Sequence, residues 1–230
     1  MPYIKSLGLI HVAIPKTGTT SLTRALKYLQ KQHGGELQLV KEEITNEYRR
    51  KYQLDKIGDS KPGRAKHLSA IQIKYILGED EFNRCIKFSV VRNPWARLVS
   101  RYFFTHVDSE PPRKEKLRRN TTRKFHKLDF DSWIYRRWTQ YRCTGKSNSQ
   151  LQKLRDQDGQ LLVDHIGRLE NVQGTLNWIT QEIGVDPIEM PHVNGTRKGH
   201  FAKFYNERTR KMVEDMCRED IEFFKYQFDE

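Results

Sequence analysis

The sequence contains few cysteines and no long hydrophobic run. Its three cysteines, Cys85, Cys143 and Cys217, are far apart in the chain and include no CxxC pair. An odd number without paired spacing argues against a disulfide framework or a zinc site and is typical of reducing compartments. No apolar run approaches the roughly 20 residues that a helix needs to cross a bilayer. We therefore expect neither a disulfide-linked fold nor a transmembrane helix.

Acidic residues are scarce relative to basic ones. Lys and Arg number 42 against 29 Asp and Glu, which gives the 230-residue chain a formal net charge of +13. Such a charge attracts nucleic acid, anionic membranes, acidic polysaccharides and phosphorylated cofactors, and it does not choose among them. Hydrophobic residues make up 36% of the chain, which is enough for one core. We predict a single domain over residues 1–230, with two small lobes as the alternative.

Two strand–loop–helix units indicate an α/β fold. The first joins the apolar run LGLIHVAI (residues 7–14) to the segment TTSLTRALKYLQKQ (residues 19–32), whose leucines have helical spacing. The second joins a strand at residues 86–91 to an amphipathic helix that starts at Pro94. Alternating strands and helices of this kind predict a central, mostly parallel sheet flanked by helices.

The remaining chain shows further helical periodicity and one more strand. Predicted helices cover residues 67–78, 130–141 and 171–184, and another begins after the N-cap Asn206. A strand is predicted within residues 161–170, LLVDHIGRLE. Residues 109–127 are charged and aperiodic, which predicts a mobile or substrate-facing loop.

The segment IPKTGTTS (residues 14–21) has the composition of an anion-binding loop. Between a strand and a helix it offers backbone N–H groups, several hydroxyl groups, the charge of Lys16 and the close backbone approach that Gly18 permits. In the nucleoside triphosphate loop GxxxxGK[ST] the Lys follows the last Gly, whereas here Lys16 precedes Gly18. The pattern therefore favours a phosphate other than a triphosphate with its magnesium. The alternative is an ordinary strand-to-helix turn.

A second phosphate site is predicted after the second strand. Arg92 ends that strand, and Ser100 lies about two turns into the next helix. A guanidinium fork and a hydroxyl group suit a phosphate monoester. The alternative is that Arg92 and Arg97 make only surface ion pairs. Two anion sites in one parallel sheet suggest a ligand with two separate phosphates.

Together these motifs resemble those of the sulfotransferases that use 3′-phosphoadenylyl sulfate (PAPS). More narrowly, they are similar to the Golgi-type (family 2) carbohydrate sulfotransferases and their bacterial relatives. IPKTGTTS resembles the 5′-phosphosulfate motif and VVRNPWARLVSRY the 3′-phosphate motif, and the likeness continues through VDHIGRLENV, MPHVNGTRK and DIEFFKYQF. The resemblance implies a P-loop-like three-layer α/β fold. It also implies transfer of a sulfonate from PAPS to a hydroxyl group, most simply of a carbohydrate, with release of adenosine 3′,5′-bisphosphate (PAP).

The resemblance implies roles for individual residues. Lys16 would contact the bridging oxygen and the sulfonate, while Arg92 and Ser100 would bind the 3′-phosphate. The residues that would hold the 5′-phosphate are Thr17, Gly18, Thr19, Thr20 and Ser21. The residues of a late loop that closes over the nucleotide are Asn194, Thr196, Arg197 and Lys198. Thr196 stands where the family usually has Ser, and either Arg197 or Lys198 would make the contact.

The transfer also requires a base, because the acceptor hydroxyl loses its proton as it attacks sulfur. His67 is the predicted base among eight histidines, because it lies between the two motifs and members of the family resemble KHLSA at this place. The alternative for His67 is a capping or core histidine, and Glu42 or Glu43 is the second choice of base. His11, within the first strand, is predicted to pack in the core. We expect no metal, because no cluster of Asp and His residues suggests one.

The basic surplus is consistent with an anionic glycan as acceptor or with a solvated loop. Basic residues predicted to line such a groove are Arg64, Lys66, Arg113, Lys114, Arg118, Arg119 and Arg123. Two other functions are open: a P-loop kinase with a degenerate loop, which would need a magnesium-binding acid at a strand end, and a non-catalytic polyanion-binding module. We expect no nucleic-acid partner. We further expect a cytoplasmic, bacterial-type enzyme, with the luminal domain of a Golgi enzyme lacking its anchor as the alternative.

Overall fold

The chain is divided into two units, of which the first contains the sheet. The first unit comprises Met1–Arg92 and Gln150–Gly195, and the second comprises Asn93–Ser149 and Thr196–Glu230. The structure, a computed structural model, describes residues 2–33, 37–39, 67–107, 128–145, 149–190 and 200–229. The predicted loop at 109–127 lies outside these residues. None of the helices in the described ranges is long and apolar enough to span a membrane.

The sheet has five strands in the order β3-β1-β2-β4-β5. The strands are β1 (Pro2–Ile4), β2 (Leu9–His11), β3 (Leu37–Leu39), β4 (Ile86–Val91) and β5 (His165–Arg168). β4 pairs in parallel with β2 and β5, whereas β1 runs antiparallel to β2 and β3. Only β1 is therefore reversed, and the predicted α/β fold with a mostly parallel sheet is confirmed. Because β2, β4 and β5 are parallel neighbours, the loops that follow them emerge at one edge of the sheet.

The helices agree with most of the sequence predictions. Those of the first unit are α1 (Thr19–His33), α2 (Ala70–Leu77), α3 (Glu79–Arg84) and α6 (Val172–Glu182). Those of the second unit are α4 (Pro94–Tyr102), α5 (Phe130–Thr144), α7 (Glu207–Met216) and α8 (Arg218–Phe224). Short 3₁₀ segments cover Lys5–Leu7, Leu151–Lys153, Leu169–Asn171 and Phe201–Phe204, and a π-helical turn covers Phe103–Val107. The C-terminal helix is interrupted at Cys217, where the backbone leaves helical geometry (φ −119°, ψ 18°).

The strand predicted at residues 7–14 is shorter in the structure. The backbone at Gly8 is left-handed (φ 55°), which reverses the chain so that β1 can pair with β2. After β2 the pairing continues for one more residue, because Val12 N donates to Phe88 O at 2.8 Å. β1 and β3 were not predicted, since strands of three residues leave little periodicity to detect.

The core of the first unit lies between the sheet and helices α1 and α6. One face of α1, formed by Leu22, Ala25, Leu26 and Leu29, is fully buried. It packs in the same cluster as Phe88 and Val90 of β4 and Leu176 and Ile179 of α6. Burying an aliphatic or aromatic side chain of this size contributes about 1.5–3 kcal/mol. This packing fixes the start of α1 relative to the ends of the strands.

An aromatic cluster joins helices of the second unit. Tyr102 of α4 packs edge-on against Phe130 and Trp133 of α5, with ring centroids 5.3 and 5.6 Å apart. α4 starts with Pro94, and the side chain of Asn93 accepts hydrogen bonds from the first turn. The Asn93 side chain also donates to Gln227 O at 2.8 Å, which ties the start of α4 to the C-terminal segment.

Candidate active site

A tight loop joins β2 to α1, and its backbone is left-handed at two positions. These are Lys16 (φ 71°) and Gly18 (φ 73°). A lysine with a left-handed backbone carries on the order of 1–3 kcal/mol of conformational strain. Strain of this kind is often found at functional sites. Thr17 between them is buried, and its Oγ1 donates to Ile14 O at 3.0 Å. The hydroxyl of Thr17 therefore stabilises the turn itself, and toward a ligand this residue can offer its backbone N–H.

The next three residues of the motif form the first turn of α1. Thr19 and Ser21 are largely buried, whereas Thr20 is exposed. The N-terminal end of a helix carries a partial positive charge and favours anions. Together with the charge of Lys16, this end of the helix is suited to a phosphate or phosphosulfate group.

Gly18 lies against a residue that follows β5. A Cβ atom at this position would be 2.5 Å from Cδ1 of Leu169, far inside van der Waals contact. A side chain at this position would be strained by the positive φ and would require the side chain of Leu169 to shift. Glycine therefore permits both the left-handed turn and the packing of Leu169 against the loop.

The variant Gly18→Ala is expected to lose about 2–5 kcal/mol of unfolding free energy, because the left-handed backbone contributes about 1–2 kcal/mol and overpacking about 1–3 kcal/mol. Gly159→Ala is the matched control: its φ is 83°, and no atom lies within 4 Å of its Cβ position. The control should lose only the backbone contribution, about 1–2 kcal/mol. Equal losses in urea unfolding of the two variants would show that the contact with Leu169 is unimportant.

Arg92 follows β4 and reaches the same loop. Its Nη1 donates to Lys16 O at 3.4 Å. Its backbone is held by the side chain of Gln150, which accepts from Arg92 N at 3.0 Å and donates to Arg92 O at 2.8 Å. Gln150 is fully buried. The structure therefore brings two of the sequence-predicted donor-binding residues, Lys16 and Arg92, into contact.

The ring of His67 contacts the beginning of the same loop. Its Nδ1 is 3.0 Å from Ala13 O, and because a carbonyl only accepts, Nδ1 must carry the hydrogen. In the neutral ring the lone pair is then on Nε2. Lys153 Nζ donates to His67 O at 2.9 Å, and Ser69 starts α2 with a capping box. The helix thus begins after His67, whose ring is directed to the loop and does not cap the helix.

The remaining predicted residues are distributed over the second unit and the undescribed segments. Ser100 is half-buried on α4 of the second unit. Arg97 forms a buried ion pair with Asp220 at 3.6 Å, so its pair is not at the surface. The following predicted residues lie outside the described part of the chain: Asn194, Thr196, Arg197, Lys198, Arg64, Lys66, Arg113, Lys114, Arg118, Arg119, Arg123, Glu42 and Glu43.

The structure also shows residues that sequence analysis missed. Gln150 bonds the backbone of Arg92, and Lys153 donates to the backbone oxygen of His67. Leu169 occupies the space beside Gly18. Nothing local in the sequence marks them, because their importance depends on contacts between distant segments. The histidine of β2, by contrast, behaves as predicted: His11 is buried and stacks on Phe88 at 4.9 Å.

Within the described ranges, no group of three or more His, Cys, Asp and Glu side chains could hold an ion. The ends of β4 and β5 instead place a cation and an aliphatic side chain, Arg92 and Leu169, around the anion loop.

The family model of the sulfotransferases matches residues 4–227, nearly the whole chain. The chain belongs to the sulfotransferase family. A search of curated proteins and a search of solved structures found no match. The family assignment makes this sulfotransferase an enzyme that transfers a sulfonate group to an acceptor, and it favours sulfonate transfer over the kinase and polyanion-binding alternatives.

Proposed function

We propose that this sulfotransferase transfers a sulfonate from PAPS to a hydroxyl group of a carbohydrate and releases PAP. The supporting observation is the convergence of three functional groups on one loop: Lys16 belongs to it, Arg92 donates to Lys16 O, and His67 bonds Ala13 O. A cation, a guanidinium fork and an imidazole beside a helix N-terminus match the needs of a phosphosulfate donor and a hydroxyl acceptor.

The first unit offers fitting groups for the 5′-phosphosulfate. The left-handed turns at Lys16 and Gly18 allow close backbone approach, and the first turn of α1, Thr19 to Ser21, provides the positive helix end. Arg92 is proposed to bind the 3′-phosphate together with Ser100. Thr17, through its backbone, and the late-loop residues Asn194, Thr196, Arg197 and Lys198 complete the proposed donor site.

His67 is proposed as the general base. Its Nε2 accepts the hydroxyl proton while the bond between acceptor oxygen and sulfur forms. The bond that breaks joins sulfur to the bridging oxygen of the phosphate, which keeps the electron pair. Lys16 stabilises the negative charge that develops on that oxygen, and this interaction is stronger in the transition state than in the ground state.

The carbohydrate acceptor rests on two observations. The motifs resemble those of carbohydrate sulfotransferases, and the net charge of +13 suits an acidic glycan. Arg64, Lys66, Arg113 and Lys114 are the proposed contacts to such a chain. Acceptors can be screened directly by incubating the enzyme with radiolabelled PAPS and a panel of neutral and acidic oligosaccharides.

Calorimetric titration tests the donor. We expect PAP to bind more tightly than ATP or AMP, because only PAP has the 3′-phosphate for Arg92. Arg92→Ala should weaken PAP binding by about 10–100-fold, since a hydrogen bond between charged groups contributes about 1.5–3 kcal/mol. It should leave AMP binding nearly unchanged.

Arg84→Ala is the matched control, because Arg84 is an exposed arginine that precedes β4 at the opposite end. This variant should bind PAP as the wild type does. Preferential binding of ATP, or binding of PAP that falls steeply with salt in both variants, would contradict the proposed donor site.

A further inference from the structure

One short turn of the first unit contacts two of the proposed functional residues. The 3₁₀ segment Leu151–Lys153 follows Gln150, and Lys153 N donates to Gln150 O at 3.1 Å. At the start of this turn, the side chain of Gln150 bonds both the backbone N and the backbone O of Arg92. At its end, Lys153 Nζ donates to His67 O at 2.9 Å. The turn therefore contacts Arg92 and His67 from its two ends.

The turn is itself firmly anchored in the fold. Gln150, Leu151 and Leu154 are fully buried. Leu154 N donates to Leu151 O at 2.9 Å, and Leu162 N donates to Leu154 O at 2.8 Å. A backbone that is already fixed by burial and hydrogen bonds holds the side chains that project from it in defined places. The turn is therefore suited to position the residues that it contacts.

The loop between β2 and α1 bonds the same two residues from another direction. Arg92 Nη1 donates to Lys16 O at 3.4 Å, and His67 Nδ1 lies 3.0 Å from Ala13 O. The loop thus bonds the side chains of Arg92 and His67, whereas the turn bonds their backbones. A residue that is held at both places has less conformational freedom than a residue held at only one of them.

The backbone contact made by Lys153 has a consequence for the proton on the His67 ring. In the neutral ring, Nε2 can accept a proton only while Nδ1 carries the hydrogen that it donates to Ala13 O. If the peptide group of His67 shifts, the ring can leave Ala13 O and adopt the other tautomer, in which Nε2 carries the hydrogen. A residue that fixes this peptide group therefore keeps Nε2 able to accept a proton.

We propose that Lys153 is a positioning residue for His67, and that the turn it shares with Gln150 places the base and Arg92 through separate contacts. In this role Lys153 acts through the backbone oxygen of His67 and contacts no reacting atom. The importance of that position for catalysis rests on the proposed function. The tautomer of His67, by contrast, can be measured without donor or acceptor.

Nitrogen NMR of protein labelled at histidine tests the position of the ring. The spectra are recorded at about pH 8, where an ordinary imidazole is neutral, and the His67 signals are identified by their absence in His67→Asn. We expect the wild type to show the Nδ1–H tautomer and Lys153→Met to show an average of the two tautomers. Lys153→Arg should restore the wild-type pattern, because a guanidinium can donate to the same oxygen.

Lys27→Met is the matched control, since it changes an exposed lysine on α1. Its His67 signals should be those of the wild type. A wild-type tautomer in Lys153→Met would overturn the proposal, and so would a wild type in which Nε2 carries the hydrogen.

Rate and affinity measurements separate positioning from a general loss of structure. At saturating PAPS, Lys153→Met should lower the single-turnover rate by about 10–100-fold, because a misplacement of about 1 Å can cost about 100-fold. It should keep the wild-type affinity for PAP. Gln150→Met should show the reverse: PAP binding about 10-fold weaker, since Arg92 is less well placed, and a rate at saturating PAPS close to that of the wild type. Gln157→Met changes an exposed glutamine a few residues further on and should alter neither quantity.

Thermal unfolding of the same variants completes the test. If Lys153→Met and Gln150→Met both lose rate and PAP affinity, in proportion to a lower melting temperature, the turn has only a structural role and the proposal is overturned. If Gln150→Met does not fold, the tautomer and the rates of Lys153→Met and Lys153→Arg decide. A wild type that neither binds PAP nor transfers from PAPS would contradict the proposed function, while the tautomer of His67 would still decide the role of Lys153.

Discussion

The variant His67→Asn is expected to lower kcat by about 10²–10⁴-fold, the usual contribution of a general base. The asparagine amide can still donate to Ala13 O, as Nδ1 of His67 does at 3.0 Å. The asparagine side chain has no basic nitrogen that could accept the hydroxyl proton in place of Nε2 of His67. The variant should therefore keep the melting temperature and the PAP affinity of the wild type, and its defect should appear in single-turnover transfer from radiolabelled PAPS.

Two further variants make this result specific. His33→Asn changes an exposed histidine at the end of α1 and should leave kcat unchanged. His67→Ala should lose kcat to a similar extent, and added imidazole should restore part of it, because free imidazole can accept the proton at the vacated position. Full activity in His67→Asn would instead assign the ring a structural role beside Ala13. Glu42 and Glu43 would then become the bases to test.

Lys16 is expected to have the second largest effect on the rate. Removing a cation that stabilises a developing charge commonly lowers kcat by about 10²–10³-fold. Lys16→Ala and Lys16→Gly should both show this loss. They should differ in stability, however, because the backbone at Lys16 is left-handed (φ 71°) and glycine adopts this conformation readily.

Urea unfolding should show Lys16→Gly to be more stable than Lys16→Ala by about 1 kcal/mol. The left-handed conformation carries a steric cost for alanine that glycine avoids, and the greater freedom of glycine in the unfolded chain offsets part of this gain. Lys27→Ala is the control, since Lys27 is an exposed lysine on α1. It should change neither the rate nor the stability appreciably. A Lys16→Gly enzyme with wild-type kcat would exclude Lys16 from stabilising the leaving group.

The sequence allowed the α/β architecture and the tight turn between β2 and α1 to be predicted because both depend on local signals. Apolar runs of strand length, Pro94 at a helix start and the glycine at position 18 act within a few residues. The order of the motifs made the functional prediction more specific. Each of the two predicted phosphate motifs follows a strand, and these strands, β2 and β4, are parallel neighbours. His67 was chosen because it lies between the motifs and KHLSA resembles the family at this place, and the structure places its Nδ1 3.0 Å from Ala13 O of the loop.

Other features could not be predicted, because they arise from contacts over long sequence separations. No local pattern indicates that the amide of Gln150 brackets the backbone of Arg92, or that Leu169 closes the space at Gly18. The break at Cys217 was missed for a related reason. Val213, Met216 and Ile221 continue the apolar periodicity across it, so the pattern alone favours one helix.

The support of the loop by distant residues has a consequence for synthesis of the protein. Lys16, Gly18, His67 and Arg92 all lie in the first 92 residues. The residues that contact Arg92, His67 and Gly18 come later in the chain and are Gln150, Lys153 and Leu169, respectively. A nascent chain that has not reached these positions contains the proposed donor-site residues without these contacts. Since domains are made from the N-terminus at about 5–20 residues per second, this interval lasts several seconds on the ribosome. The proposed donor site is thus assembled late, after most of the chain has been translated.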